Sequence, residues 1–174
     1  TLAELPPEGR RSVVRASFSS SFVALWMLPR LPAFSRAYPD IALHLEESDS
    51  DMLDLVSKGL DFSARLGNGT WSDLRCTLLV PERVGAVASP AYLERNPGLS
   101  APRTLLGADL IHVHEPKRAR IGWRDWLAHF AVAPPMPEAK FTVSDYHSAI
   151  DAALLGQGVA LGWEHLVKGS IQDN

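Results

Sequence analysis

The chain has 174 residues, 46% hydrophobic and 21% charged, with a formal net charge of −3. That length supports one large domain or two small lobes with cores of their own, and the negative balance speaks against a surface that grips nucleic acid through basic residues. A single cysteine, Cys76, excludes an internal disulfide framework and a multi-cysteine zinc site, and no apolar run approaches the roughly 20 residues of a membrane span.

The chain opens with a polar, proline-bearing stretch, Thr1 to Arg11, that lacks a signal-peptide core and reads as a linker or a cut end. Ser12 to Phe18 is the first expected strand. From Phe22, apolar residues recur at Leu25, Trp26, Leu28, Leu31 and Phe34, the face of a helix that Pro29 and Pro32 should bend or interrupt. Pro39-Asp40 breaks the chain, and Ile41, Leu43 and Leu45 alternate with Ala42, His44 and Glu46 as a second strand. A short helix follows with Leu53, Val56 and Leu60 on one side, Ser48, Asp49 or Ser50 as its cap and Gly59 at its C-terminal turn. Asp61 to Leu66 is a third strand, ended by a Gly67-Asn68-Gly69 turn. Strand, helix, strand, helix, strand is the order of a parallel sheet with helices on its faces.

Leu78 to Val87 reads as a crossing segment leading into the first strand of a second lobe, Val84 to Ala88. Ser89 caps a helix with Pro90 at its first position. A short helix over Leu99 to Leu106 and a strand over Asp109 to Val113 follow. Trp123, Trp126, Leu127 and Phe130 form a helical stripe, and Pro134, Pro135 and Pro137 a stiff loop. Then come a strand over Phe141 to Ser144, a helix from Ala149 to Leu155, a strand over Val159 to Gly162 and a helix from Glu164. The expected division is a linker at 1–10, a first lobe at 11–80, a second at 81–162, and the start of a return towards the first lobe at 163–174.

Two strand-to-helix junctions carry polar groups: Ser17 to Ser21, and Ser144-Asp145-Tyr146-His147. The first N–H groups of a helix lack internal partners and favour negative charge. Ser19, Ser20 and Ser21 therefore read either as an anion site or simply as an N-cap. Ligands of open α/β sheets bind beyond the carboxyl ends of the strands, and two such junctions facing one another across a cleft would make a small-molecule site. Arg65, near the end of the third strand, can pair a ligand carboxylate with Trp71 covering an apolar part, or make a structural ion pair with Asp61 or Glu82. His112 and His114 share a strand face beside Glu115, yet no partner cluster is evident, and partly buried strand histidines are the better reading than a metal site. No serine sits in a G-x-S-x-G elbow, and neither glycine pair extends to a nucleotide-binding loop.

The chain from Arg11 onward resembles the effector-binding domain of LysR-type transcriptional regulators, in the branch of the glycine-cleavage activator and the β-lactamase regulator. The resemblance rests on Ser20-Ser21-Phe22 with Trp26 and Leu28-Pro29-Arg30-Leu31, on Tyr38-Pro39-Asp40-Ile41, and on Gly59-Leu60-Asp61-Phe62. It continues through Arg65-Leu66-Gly67-Asn68-Gly69-Thr70-Trp71, Ala88-Ser89-Pro90-Ala91-Tyr92-Leu93, Trp123 to Leu127, Ser144-Asp145-Tyr146 and Gly156 to Gly162. It implies a periplasmic-binding-protein-like (type 2) α/β fold, two Rossmann-like lobes with a cleft and crossing strands. It also implies effector contacts at Ser20, Ser21, Arg65, Gly67, Asp145 and Tyr146, with Trp71 carried over beside them; Ser19 joins them from the reading of the helix start. The expected partners are a small, anionic or zwitterionic effector and a second copy, as a dimer or a full-length tetramer. DNA would be bound only through a helix-turn-helix upstream of Thr1, and the strand and helix that close the first lobe would follow Asn174. Ser63 stands where the family has a small apolar residue.

The expected function is ligand sensing in the cytoplasm, with no catalytic residue, metal, cofactor or membrane contact. A transporter's solute-binding protein of the same fold is the alternative, and an enzyme on a related two-lobed scaffold a further one for which no nucleophile stands out.

Overall fold

The computed structural model describes residues 12–48, 50, 55–116, 120–132, 135 and 139–172. They fall into two compact units, divided between Leu79 and Val80.

Unit 1 is built on strand β1 (Ser12–Phe18), which lies between two parallel neighbours. Strand β2 (Ile41–Glu47) pairs along its whole length, from Ser12 opposite Ile41 to Phe18 opposite Glu47. Strand β3 (Phe62–Ser63) pairs on the other side through Ala16 and Ser17. The C-terminal half of the central strand is buried, with Ala16 and Ser17 both at 0% exposure, as expected of a strand covered on both edges and a face.

The strand expected over 61–66 is only two residues long. Asp61 turns its carboxylate to the Arg15 N–H at 2.7 Å, and the Ala64 N–H makes the last rung to the Ser17 carbonyl at 3.1 Å. Beyond that point β1 gives way to a helix, so Arg65 and Leu66 have no extended neighbour. Of the expected helix between β2 and β3, residues 49 and 51–54 lie outside the described residues; 55–59 form a turn, with Gly59 at φ +60°.

The helix after β1 starts two residues before Phe22 and is irregular in a way its prolines explain. Helix α1 (Ser20–Phe22) opens into a π-helical stretch, Val23–Met27, then a 3-10 turn, Leu28–Arg30, then helix α2 (Leu31–Ala37). In a regular α-helix the ring of Pro29 would clash with the Leu25 carbonyl, and it has no N–H to offer. Widening the turn relieves the clash, and the Leu28 N–H reaches back five residues to the Val23 carbonyl. The Arg30 guanidinium braces the irregular run: it donates to the Trp26 carbonyl at 2.9 Å and lies 4.5 Å from the centre of the Trp26 ring. Phe18, Phe22 and Trp26 stack in sequence at 5.3 and 4.9 Å, with Phe62 edge-on to Phe18.

In unit 2, strand β4 (Val84–Val87) runs antiparallel to β7 (Ala160–Trp163), and β5 (Ile111–Val113) parallel to β6 (Phe141–Val143). A parallel bridge between Leu110 and Val159 joins the two pairs. Helix α3 (Pro90–Arg95) is capped by Ser89, whose Oγ accepts the Tyr92 N–H. The helix expected over Leu99 to Leu106 is a 3-10 turn, Pro102–Gly107, held by the Thr104 hydroxyl on the Ala101 N–H and carbonyl. Helix α4 (Trp123–His129) follows the aromatic stripe. Helix α5 (Tyr146–Leu154) begins three residues earlier than the expected Ala149, because Asp145 caps it. Helix α6 (Glu164–Gln172) leaves β7 directly. Most of the expected proline loop lies outside the described residues. The unit's core is Leu127, Tyr146, Ala149, Ile150, Ala160 and Val167. Gly158 is where this core is tightest, since a Cβ there would come within 2.1 Å of the Asp109 carbonyl oxygen.

Candidate functional site

Six of the eight expected site residues belong to unit 1. The end of β1 delivers Ser17 fully buried, and its hydroxyl accepts from Arg65 Nη2 at 2.8 Å. Arg65 Nη1 donates to the Ser17 carbonyl at 3.2 Å and to the Ala64 carbonyl at 2.8 Å. These bonds clamp the guanidinium against the carboxyl end of the central strand, where the next residues start a helix. Asp61, one of the two expected ion-pair partners, is turned to the Arg15 N–H instead.

At the helix start the three serines divide the work. Ser19 is the cap, its Oγ accepting the Phe22 N–H at 3.2 Å. The Ser21 hydroxyl lies 3.4 Å from that oxygen and is 1% exposed. Ser20 is half-buried. The cap reading and the anion reading are therefore compatible, because the capping oxygen satisfies one helix donor and leaves the dipole of the helix end in place beside a fixed cation.

Gly67 and Trp71 form one unit of structure. The indole lies so close over Gly67 that a Cβ there would meet its Cη2 at 2.5 Å. The intervening turn is held by Asn68, whose side-chain oxygen accepts the Thr70 N–H and hydroxyl, and Gly69 takes φ +79°. Trp71 keeps about a third of its surface in solvent, an aromatic plate on a loop near the end of β3. Ser17, which the sequence places in the first polar junction but does not mark as an effector contact, is the residue that fixes Arg65. Its signal was a hydroxyl one residue before the last position of an otherwise apolar buried strand end.

The other two residues belong to unit 2. Asp145 accepts the His147 N–H at 2.8 Å, the Ser148 N–H at 3.2 Å and the Ser148 hydroxyl. Burial alone would raise its pKa; the hydrogen bonds from Ser148 and His147 outweigh that and hold the carboxyl below its ordinary range. Tyr146 is in the core at 1% exposure, edge-on to Trp163, and its hydroxyl accepts the Trp163 N–H at 2.8 Å. Burial pushes that hydroxyl well above the usual tyrosine range.

Beside Tyr146, unit 2 holds a partly open cavity of about 70 Å³. Its lining includes His112 and Arg120, neither of which the sequence marks as a ligand contact. Burial draws the His112 imidazole below its ordinary pKa. Among the described residues no group of three or more His, Cys, Asp and Glu is placed to hold a metal ion, and no helix is long and apolar enough to cross a membrane.

The profile of the LysR substrate binding domain matches residues 7–174, and the chain belongs to that family. The chain is 31% identical over 170 residues to the HTH-type transcriptional regulator TrpI of Pseudomonas aeruginosa, an alignment covering 94% of this chain and 56% of that protein. It is 26% identical over 169 residues to the glycine cleavage system transcriptional activator of Escherichia coli, covering 97% of this chain and 54% of that one. The chain thus spans about half the length of the curated relatives it matches. Among solved structures, the AmpR effector binding domain of Citrobacter freundii superposes with a TM-score of 0.70 at 24% identity, covering 93% of this chain and 78% of that one. The CrgA regulatory domain of Neisseria meningitidis gives 0.71 at 22%, covering 94% and 78%. The expected fold and family are both borne out, and these relatives are transcriptional regulators, not transporter proteins or enzymes.

Proposed function

We propose that this chain is the ligand-sensing part of a LysR-type regulator acting in the cytoplasm, without catalytic activity, and that it works as a dimer. It binds a small anionic or zwitterionic effector and passes the binding energy to a DNA-binding helix-turn-helix elsewhere in the protein. Ser19, Ser20 and Ser21 receive the effector's anionic group at the helix start. Arg65 balances its charge, and Trp71, seated on Gly67, covers its apolar part. Asp145 serves its other end; the expected contact at Tyr146 is not retained, because that side chain is buried in the core with its hydroxyl on the Trp163 N–H. A ligand shifts a conformational equilibrium only by its difference in affinity between the states, so the output depends on these residues contacting it unequally in them.

The observation that carries the reading is the Arg65 guanidinium held by three hydrogen bonds at the end of β1, against a helix start, in a chain of this family. The test is thermal stabilisation of the chain by a panel of amino acids and their des-amino carboxylates. Some members of the panel should raise the melting temperature, and Ser20→Val with Arg65→Met should remove the effect. Equal stabilisation of the double variant would overturn the site. Zwitterions stabilising no better than the matching carboxylates would remove Asp145 from it.

A further inference from the structure

The turn between Gly67 and Trp71 contains two residues that the effector contacts leave unused, Asn68 and Gly69. An asparagine followed by glycine can lose its side-chain amide without an enzyme. The nitrogen of the next residue closes a small ring onto the side-chain carbonyl, and glycine brings that nitrogen with no Cβ to hinder it. Asparagine is thermolabile for this reason. Asn68 and Gly69 are both exposed, so water and base reach them. Asn96 is the contrast. It precedes Pro97, which has no N–H to give up, and its amide nitrogen donates to the Tyr92 carbonyl at 2.9 Å.

The fold adds two things to this sequence pattern. Asn68 Oδ1 accepts the Thr70 N–H at 3.1 Å and the Thr70 hydroxyl at 2.6 Å. The first of these bonds closes a ring around the Asn68–Gly69 peptide unit, so Cγ is folded back over that peptide and does not swing in solvent. The same two donors meet the atom on which negative charge develops when the Gly69 nitrogen attacks, the arrangement of an oxyanion hole. Hydrogen bonds can also hold a side chain inert, and where they fall decides between the two effects. Here they fall on the oxygen. Among the described residues the Gly69 N–H enters none of the backbone hydrogen bonds of the turn. Gly69 stands at φ +79° with nothing within 4 Å of the place a Cβ would take, which leaves its peptide room to turn towards Cγ.

We propose that Asn68 is a site of self-modification, converted to aspartate or isoaspartate by Gly69 with Thr70 as the promoting residue. The Gly69 nitrogen forms a bond to Asn68 Cγ as its proton passes to hydroxide, and the carbonyl electron pair moves onto Oδ1 between the Thr70 donors. The pair returns, the Cγ–Nδ2 bond breaks, and the nitrogen takes a proton from water and leaves as ammonia. Water then opens the resulting succinimide at either carbonyl. Cleavage at Cγ gives aspartate, and cleavage at the main-chain carbonyl gives isoaspartate, with the backbone routed through the side chain. The net change is hydrolysis of one amide, and nothing is oxidised or reduced. Either product puts a negative charge three positions beyond Arg65 in the chain, and isoaspartate lengthens the loop that carries Trp71. The chemistry stands apart from the effector contacts; its consequence for an effector rests on the Arg65 reading.

The test is a rate. The chain is incubated without any effector in mildly alkaline buffer and sampled over time. Trypsin, which cuts after Arg65 and Arg75, releases residues 66–75, and chromatography with mass spectrometry resolves the asparagine, aspartate and isoaspartate forms. A synthetic peptide of residues 66–75 is the reference. Asn68 in the folded chain should convert about tenfold faster than in the peptide, a modest part of what positioning and oxyanion donors supply in a closed active site. Thr70→Val should fall to about the rate of the peptide, and Thr70→Ser, which keeps both donors, should stay within about threefold of the wild type. Asn96 should remain intact throughout. A rate in the folded chain at or below that of the peptide would overturn the proposal, since the turn would then protect Asn68; this comparison needs no variant. Conversion in Thr70→Val as fast as in the wild type, or faster, would also overturn it. Because no effector is present, the outcome is separate from that of the effector panel.

Discussion

Removing the Asp145 carboxylate tests how much of helix α5 rests on its cap. Three hydrogen bonds converge on that side chain: the N–H groups of His147 and Ser148 and the Ser148 hydroxyl. Losing an N-cap acceptor costs about 1 kcal/mol, and losing a negative charge from the first turn adds about 0.5 kcal/mol. Asp145→Ala should therefore destabilise the chain by about 1.5 kcal/mol at pH 7, a fall in Tm of about 3–6 °C for a protein of this size. Asp145→Asn keeps an acceptor and loses only the charge, so it should cost about 0.5 kcal/mol. The pH dependence has a fixed sign. The folded carboxyl titrates below its ordinary value, so its contribution is complete above the unfolded value near ~3.9 and is lost as pH falls through the lower, folded one. Urea denaturation at pH 7 and in steps down to about pH 3 should show the wild type and Asp145→Asn converging. If Asp145→Ala is as stable as the wild type at pH 7, or if the gap to Asp145→Asn widens in acid, the cap argument fails.

Three further substitutions separate close contacts that can yield from those that cannot. Gly158→Ala places a Cβ 2.1 Å from the Asp109 carbonyl, whose oxygen also takes the Val159 N–H; backbone must move, and urea denaturation should show a loss of about 2–3 kcal/mol. Gly67→Ala meets only the rim of the partly exposed Trp71 ring; stability should change by less than about 1 kcal/mol while the Trp71 fluorescence shifts as the ring swings away. Tyr146→Phe leaves the Trp163 N–H without its acceptor in the core, so it should cost about 1–3 kcal/mol in denaturant titrations, with or without effector present.

Much of this fold is legible because its signals are local. β1 runs over the residues its apolar pattern marks, Ser12–Phe18, and β2 over the alternating stretch that begins at Ile41. Ser89-Pro90 starts a helix as a cap followed by proline should. Where the reading misses, a partner distant in sequence decides. β3 is short because its neighbour β1 stops being a strand, which nothing between Asp61 and Leu66 records. Pro29 and Pro32 announce a disturbed helix but not its form; the run continues because a π turn absorbs the first ring and the Arg30 side chain braces it at the Trp26 carbonyl. Helix α5 starts early because Asp145 is a stronger signal than the apolar residues that follow it.

The site shows the same division more sharply. Both junctions are found from sequence, because a strand end followed by small polar residues is a local pattern. What each junction attracts is not local. Ser19 and Asp145 hold their helices in the same way, each accepting backbone N–H groups. They differ in what surrounds the cap. At the first, a neutral hydroxyl caps the helix and the Arg65 guanidinium arrives from 48 residues away to bond Ser17. At the second, the cap is itself a carboxylate held ionised to low pH, so the junction is negative. Helix ends alone would make both of them anion sites; the side chains reverse that for one of the two. The charged groups at the two junctions are thus Arg65 and Asp145, and the serines carry no charge. The comparison of amino acids with their des-amino carboxylates tests the Asp145 junction of unit 2 apart from the Arg65 junction of unit 1.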